Sequence, residues 1–341
     1  MAAPTRNDAM DLNSVYRRLW QQAQRKQLDQ IEISAEDGRV IAKLLNVASV
    51  DCAPVFVTMS CLVLRVTSEP GATPHALKMT FGSKRFYDRE EAALQKLAEH
   101  ASTTSVPHIM SCGEVVAGSG VFGMSMPWYD TCLFDLVQWH KVTPRIAWSV
   151  VRAVADAYCV AHACKLVYMD LKLENVLLNA DDASNPVLCD WNAAVKLDGG
   201  ETQLRTTEMY NGNERDPGLL CSMAGEAWRL AVVIYAMVYS DFPRPADRSA
   251  PERFIFASLT KVTLAPEPVL EPVLETETAM AVDGDVTVTA SAPAPAPKDV
   301  SKDAVMLVSL ARELASRSVD ARPSFERVRE RAVARLATLG V

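Results

Sequence analysis

Tyr168-Met169-Asp170-Leu171-Lys172-Leu173-Glu174-Asn175-Val176-Leu177-Leu178 decides how this chain is read. An acid, a cation and a carboxamide stand at 170, 172 and 175, and an apolar run follows them. Alone, Asp-x-Lys-x-x-Asn could fall on any loop, but its neighbours are ordered. His162 stands eight residues ahead of Asp170, and Cys189-Asp190-Trp191-Asn192 brings a second carboxylate downstream. Further upstream, His75-Ala76-Leu77-Lys78 sits in a strand-like run. Glu90 follows on a helical segment, four residues before Leu94 and seven before Leu97. Downstream come Thr207-Glu208-Met209-Tyr210-Asn211-Gly212-Asn213-Glu214, then Glu226-Ala227-Trp228-Arg229-Leu230-Ala231, then Ser318-Val319-Asp320-Ala321-Arg322-Pro323-Ser324.

In that order these stretches resemble the eukaryotic-type protein kinases, whose catalytic loop reads H-R-D-L-K-x-x-N. The resemblance implies that Asp170 accepts the proton of the attacking hydroxyl and that Lys172 neutralises the transferring phosphoryl group. It makes Asn175 and Asp190 the magnesium ligands, with Asn175 also bracing the loop. Lys78 takes the place of the V-A-I-K lysine that binds the α- and β-phosphates, with Glu90 as its partner and Glu91 as the alternative. Ala76, Met126 and Leu177 would enclose the adenine, with Met126 as gatekeeper and Pro127-Trp128-Tyr129-Asp130 as hinge. A proline just past the gatekeeper is similar to kinases of large DNA viruses. Thr207 matches the residue that hydrogen-bonds the catalytic acid and lysine, and Glu226 the acid that caps the catalytic-loop backbone. Glu214 matches the A-P-E glutamate, so a Glu214–Arg322 ion pair is expected.

Departures from the family pattern fall at backbone-shape positions. No glycine lies between Gly38 and Gly71, and the family's glycine-rich loop would fall near Phe56–Val63. Without glycine, a backbone cannot approach phosphates as closely, so a stiffer roof is expected. Asn192 replaces the D-F-G glycine and, as an Asn, tolerates positive φ. Tyr168 and Trp191 replace His and Phe but stay aromatic, so the internal stack can persist. Met169 replaces the arginine that pairs with an activation-loop phosphate, which argues against switching by such a phosphate. Glu174 and Asp130 could favour basic residues before the phosphoacceptor.

Composition sets the outer limits. At 341 residues and 49% apolar, the chain can build one large domain or two lobes. A net charge of −7 argues against a general nucleic-acid binder. The eight cysteines show no metal spacing and read as free, mostly buried thiols in a reducing compartment. Met1–Asp11 has no apolar signal core, and the longest apolar run, Leu230–Tyr239, suits a buried helix rather than a membrane span. Val262–Pro297 holds six acidic and no basic residues, repeats Glu-Pro-Val-Leu and ends in Ala-Pro repeats. It reads as a disordered insertion, either a tolerated surface loop or a segment that docks a partner.

The expected architecture is an α+β, bilobal, protein-kinase-like fold. A helical extension over 1–37, with a helix from Leu12 to about Gln30, precedes a β-rich N-lobe with one helix over 38–126. The strands of that lobe begin at Val40. A larger, mainly helical C-lobe follows over 127–341. The expected function is a Ser/Thr protein kinase using ATP and Mg²⁺ on protein hydroxyls, intracellular and unattached to membrane. Lys172 and Thr207 carry the Ser/Thr expectation. The alternative is a pseudokinase acting as scaffold or allosteric partner, which the missing glycines favour.

Overall fold

The computed structural model describes residues 6–26, 30–53, 55–82, 84–100, 105–106, 111–116, 119–179, 182–197, 207, 210–211, 221–241, 244–245, 254–255, 262–266, 301–316 and 318–340. The N-terminal lobe is built on an antiparallel sheet. Its strands are β1 (Gln30–Ile31), β2 (Ser49–Val50), β3 (Val55–Val57), β4 (Cys61–Thr67), β5 (His75–Thr80), β6 (Ser111–Glu114) and β7 (Phe122–Pro127). Their order is β1-β3-β4-β5-β7-β6, with β2 paired to the far end of β4. Register sets Val63 opposite Lys78, and Lys78 opposite Met124. Alternation therefore sends Ala76, Lys78, Met124 and Met126 to one face and Leu62, Leu64, Leu77 and Met79 to the other.

The two faces meet different partners. The first packs with Tyr87, Leu94 and Leu97 of α3 (Lys84–Ala98) and continues into the core of the second lobe. The second is covered by α1 (Arg6–Lys26) and α2 (Ala35–Leu45), where Leu12, Val15, Leu19, Ala23 and Ile41 close over Val55, Val57, Leu62, Leu64 and Met79. Each fully buried aliphatic side chain contributes about 1.5–3 kcal/mol. Leu12, Val15 and Leu19 thus hold α1 in place far better than its own hydrogen bonds would in water.

Several expectations change here. The first helix runs Arg6–Lys26 rather than Leu12–Gln30. Residues 40–45 are helix, not strand. Ser34 caps α2 by accepting the Asp37 N–H, Glu36 and Asp37 sit in the first turn, and Asn46 ends it in the left-handed region. A boundary at 37/38 would cut that helix, and the lobe carries α1 and α2 as well as α3. The side chains of seven cysteines are described, all free thiols, but only Cys164 is buried; the others are half-buried.

The second lobe begins with β8 (Thr131–Cys132) and α4 (Leu133–Gln138), followed by α5 (Pro144–Ala163), which Thr143 caps. Short strands β9 (Leu166–Val167), β10 (Val176–Leu178), β11 (Val187–Leu188) and β12 (Val195–Lys196) carry the loops of the candidate site. The apolar run at 230–239 lies in α6 (Met223–Tyr239), a helix buried from Ala224 to Tyr239. A small hairpin pairs β13 (Arg244–Pro245) with β14 (Phe254–Ile255). Then α7 (Lys302–Leu314) and α8 (Phe325–Thr338) complete the bundle, with α8 against α5 and α7 against α6. Among the described residues, no helix is long and apolar enough to cross a membrane.

The acidic segment starts later than its composition implies. Thr263 N–H donates to Val238 O and Ala265 N–H to Val142 O, and Leu264 is buried, so 262–266 belongs to the core. The rest of the expected insertion, 267–297, lies outside the described residues. Ser301 caps α7. In the first turn, Asp303 accepts hydrogen bonds from Trp148 Nε1 (2.8 Å) and from Arg335 Nε and NH2 (2.7 and 2.8 Å).

That clamp joins α5, α7 and α8 through one nearly buried carboxylate. Asp303→Ala is expected to cost about 3 kcal/mol of unfolding free energy in urea melts at pH 7. The Arg335 hydrogen bond, with that of Trp148, holds the Asp303 carboxyl below its usual range despite burial. A depressed folded value means the stabilisation is present above the unfolded value of about 4 and lost as pH falls through the folded one. The wild-type advantage over the variant should therefore shrink on acidification below about pH 4.

Candidate active site

Lys78 and Glu90 reach each other because of two periodicities. Lys78 lies on the inner face of β5, and Glu90 lies on the apolar stripe of α3 with Tyr87, Leu94 and Leu97. Glu90 is 2% exposed, and a carboxylate there requires a partner. Lys78 Nζ supplies it, at 2.8 and 2.7 Å from the two oxygens, and also contacts Asp190 Oδ1 at 2.5 Å. Burial works against the ammonium, but Asp190 and Glu90 outweigh it and hold Lys78 well above its ordinary value. Burial also opposes ionisation of Asp190, yet Lys78 draws its carboxyl below the usual range. Glu90, more deeply desolvated and close to the charge of Asp190, is pushed up. The competing Glu91 instead accepts from Tyr87 OH at 3.0 Å.

The second half of the site is the loop from β9 to β10. Asp170 Oδ1 accepts the N–H (3.2 Å) and hydroxyl (3.1 Å) of Thr207. Its Oδ2 faces Lys172 Nζ at 3.1 Å and Asn175 Nδ2 at 3.3 Å. Asn175 Nδ2 also donates to Asp170 O at 2.9 Å, which leaves its amide oxygen as an acceptor. Burial lowers the affinity of Lys172 for its proton, but Asp170 more than restores it, and the side chain stays cationic.

These loops are pinned from beneath. Glu226, in the first turn of α6 and fully buried, accepts the Tyr168 N–H at 2.6 Å and contacts His162 Nε2. Tyr168 donates its hydroxyl proton to Cys189 O, and its ring meets that of Trp191 at 4.6 Å, so the aromatic stack is present. The residues that follow the two tied positions, Met169 and Asp190, both have left-handed backbones, with φ of 77° and 59°. For non-glycine residues this costs about 1–3 kcal/mol each and needs surroundings that impose it. The result aims Asp190 at Lys78.

Asn192 behaves differently from expectation. It lies in a 3-10 turn at Trp191–Ala193 and has no left-handed φ; Asp190 takes that conformation instead. The Asn192 side chain donates to Asp190 Oδ1 at 2.7 Å, helping to orient the carboxylate. Ala76 and Met126 face each other across β5 and β7 and are buried, while Leu177 is half-buried in β10 opposite Cys132. Glu174 and Asp130 are exposed. Glu214 lies outside the described residues, so its pairing with Arg322 does too. Arg322 donates to Ser316 O at 2.9 Å and to Ala224 O, and stacks over Trp228.

Sequence reasoning passed over two contributors. The hydroxyl of buried Tyr210 accepts the Leu173 N–H at 3.2 Å and reaches Glu174 at 3.5 Å, tying the 207–211 segment to the 170–175 loop. Nothing in the sequence singles it out. Tyr16 of α1 donates to Thr58 O at 2.9 Å, at the tip of the β3–β4 hairpin. Its place on the apolar stripe of α1 marks it only as core.

Comparison with known proteins agrees with the geometry. Residues 60–332 match the protein kinase domain family. The chain is similar to serine/threonine-protein kinase PknD of Mycobacterium tuberculosis, 32% identical over 183 residues, which is 52% of this chain and 27% of that protein. It is also similar to serine/threonine-protein kinase kin-29 of Caenorhabditis elegans, 24% identical over 182 residues, 50% of this chain and 21% of that one. The match thus spans about a quarter of the length of these curated relatives.

Removing the Glu226 carboxylate should loosen the loop before it unfolds the lobe. In Glu226→Ala, the Tyr168 amide is expected to exchange with solvent roughly 10- to 100-fold faster, the worth of one hydrogen bond to a charged acceptor. Site-resolved hydrogen exchange reads this directly.

Proposed function

This chain belongs to the protein kinase family, and we propose that it is a working Ser/Thr protein kinase that transfers the ATP γ-phosphate to protein hydroxyls. The observation that carries the proposal is the setting of Asp170. Its carboxylate has Thr207 on one oxygen and Lys172 and Asn175 beside the other, in a chain where Lys78 also joins Glu90 and Asp190. A carboxylate so oriented accepts the hydroxyl proton as the substrate oxygen bonds to the γ-phosphorus and the bond to the β-phosphate oxygen breaks. Lys172 meets the charge of the transferring group, and Lys78 holds the α- and β-phosphates. Ala76 and Met126 of the sheet and Leu177 of β10 take the adenine.

The donors present suit a magnesium ion. Asp190 and the amide oxygen of Asn175 are the one carboxylate and one neutral oxygen that such an ion takes from protein when phosphates and water complete its shell. When bound, the ion neutralises phosphate charge. Lys172 and Thr207 together support Ser/Thr specificity, with Thr207 holding Asp170 by both its N–H and its hydroxyl. Free thiols suit an intracellular setting.

The second reading is a pseudokinase scaffold, favoured by the glycine-free hairpin over the phosphate position. Transfer of labelled γ-phosphate from Mg²⁺-ATP to a generic basic protein separates the two. Wild type should label serine and threonine, and Asp170→Asn should reduce the rate about 10²- to 10⁴-fold with Mg²⁺-ATP still bound. A folded wild type that binds Mg²⁺-ATP and transfers nothing would establish the scaffold instead.

A further inference from the structure

The hairpin that replaces the glycine-rich loop is held from behind. Between β3 and β4 the chain reverses over Met59 and Ser60, closed by Thr58 N–H to Cys61 O at 2.8 Å. Two carbonyls of this reversal are taken by neighbours. Ser60 O accepts the Phe81 N–H at 2.8 Å, and Thr58 O accepts the Tyr16 hydroxyl at 2.9 Å. The rings of Tyr16 and Phe81 stack with centroids 3.9 Å apart and planes 4° from parallel. Phe81 lies three residues beyond Lys78. Tyr16 therefore holds the reversal directly through its hydroxyl and indirectly by stacking on Phe81, whose backbone N–H binds Ser60 O. The N–H groups of Met59 and Ser60 have no backbone partner among the described residues.

We propose that Tyr16 is a positioning residue of the nucleotide site, and that α1 is thereby part of it. In a glycine-rich loop, the backbone is free to close on phosphate after binding. Here the roof has no glycine, and its position is preset by a hydroxyl and a ring from outside the sheet. Preorganisation lowers the ordering cost of binding, and a loosened reversal restores that cost. This inference rests on the proposed nucleotide site, not on catalytic turnover.

The decisive comparison is Tyr16→Phe, which keeps the ring stack and removes the hydroxyl, beside Asp303→Ala, which destabilises the other lobe without touching α1 or the reversal. Mg²⁺-ATP affinity is measured by calorimetry, hydrogen exchange at 58–61 on the nucleotide-free protein, and Tm on each. Tyr16→Phe should weaken Mg²⁺-ATP binding about three- to tenfold, in line with one lost hydrogen bond, and speed exchange at 58–61. Asp303→Ala should lower Tm more while leaving affinity below the transition within about twofold. Equal affinity for wild type and Tyr16→Phe would overturn the proposal and leave Tyr16 as packing, even in a protein that transfers phosphate normally. A wild type that binds no Mg²⁺-ATP would overturn the inference and the proposed function together.

Discussion

One ammonium group joins the two lobes of this protein. Lys78 sits on a sheet strand, Glu90 on the helix behind it and Asp190 on a loop of the other lobe, and all three meet within hydrogen-bond distance. Two acids cannot share such a site without a cation, and a cation cannot be buried there without acids. The interaction therefore requires α3 to lie against the sheet and the 189–192 turn to swing toward it. The left-handed backbone at Asp190 is the local cost of that demand, held by Tyr168 against Cys189 O and by Trp191 in the core. Behind these stands Glu226, which accepts the Tyr168 N–H and so holds the residue that ties Cys189.

The polar residues of the site were legible because their chemistry dictates spacing. Asp170, Lys172 and Asn175 come together on one turn, and Lys78 with Glu90 follows from a two-residue period meeting a helical one. Shape was harder to read. Residues 40–47 contain Val, Ile and Leu in a density that imitates a strand, while the signals of α2 lay at its ends, in Ser34, the Glu36-Asp37 pair and Asn46. Local cap chemistry outweighed β-propensity there. In the 189–192 turn, substitution of the glycine pointed to Asn192 as the residue needing freedom. The backbone placed that burden on Asp190 and used the Asn192 amide as a hydrogen-bond donor instead. The Tyr16 contact was invisible for a different reason: it depends on where a helix docks, which a single amphipathic stripe does not specify.

Tertiary contacts also redefined the acidic segment. Composition alone places its start at Val262, yet two backbone hydrogen bonds and a buried leucine assign 262–266 to the lobe. A short proline-containing stretch can be ordered where its neighbours offer unpaired carbonyls, as Val238 and Val142 do.

The anchoring of 262–266 and of Ser301–Asp303 has a consequence for what this lobe can accommodate. Both flanks of 267–300 are tied independently to the helical bundle, one through Val238 and Val142, the other through Trp148 and Arg335. Joining two fixed points costs an entropy that rises only with the logarithm of the tether, about 0.6 kcal/mol for each doubling in length. A flexible insert placed between these anchors would therefore cost the lobe little, whatever its length. An engineer could splice a flexible reporter or an affinity handle between the two anchors, with the helical bundle as the frame.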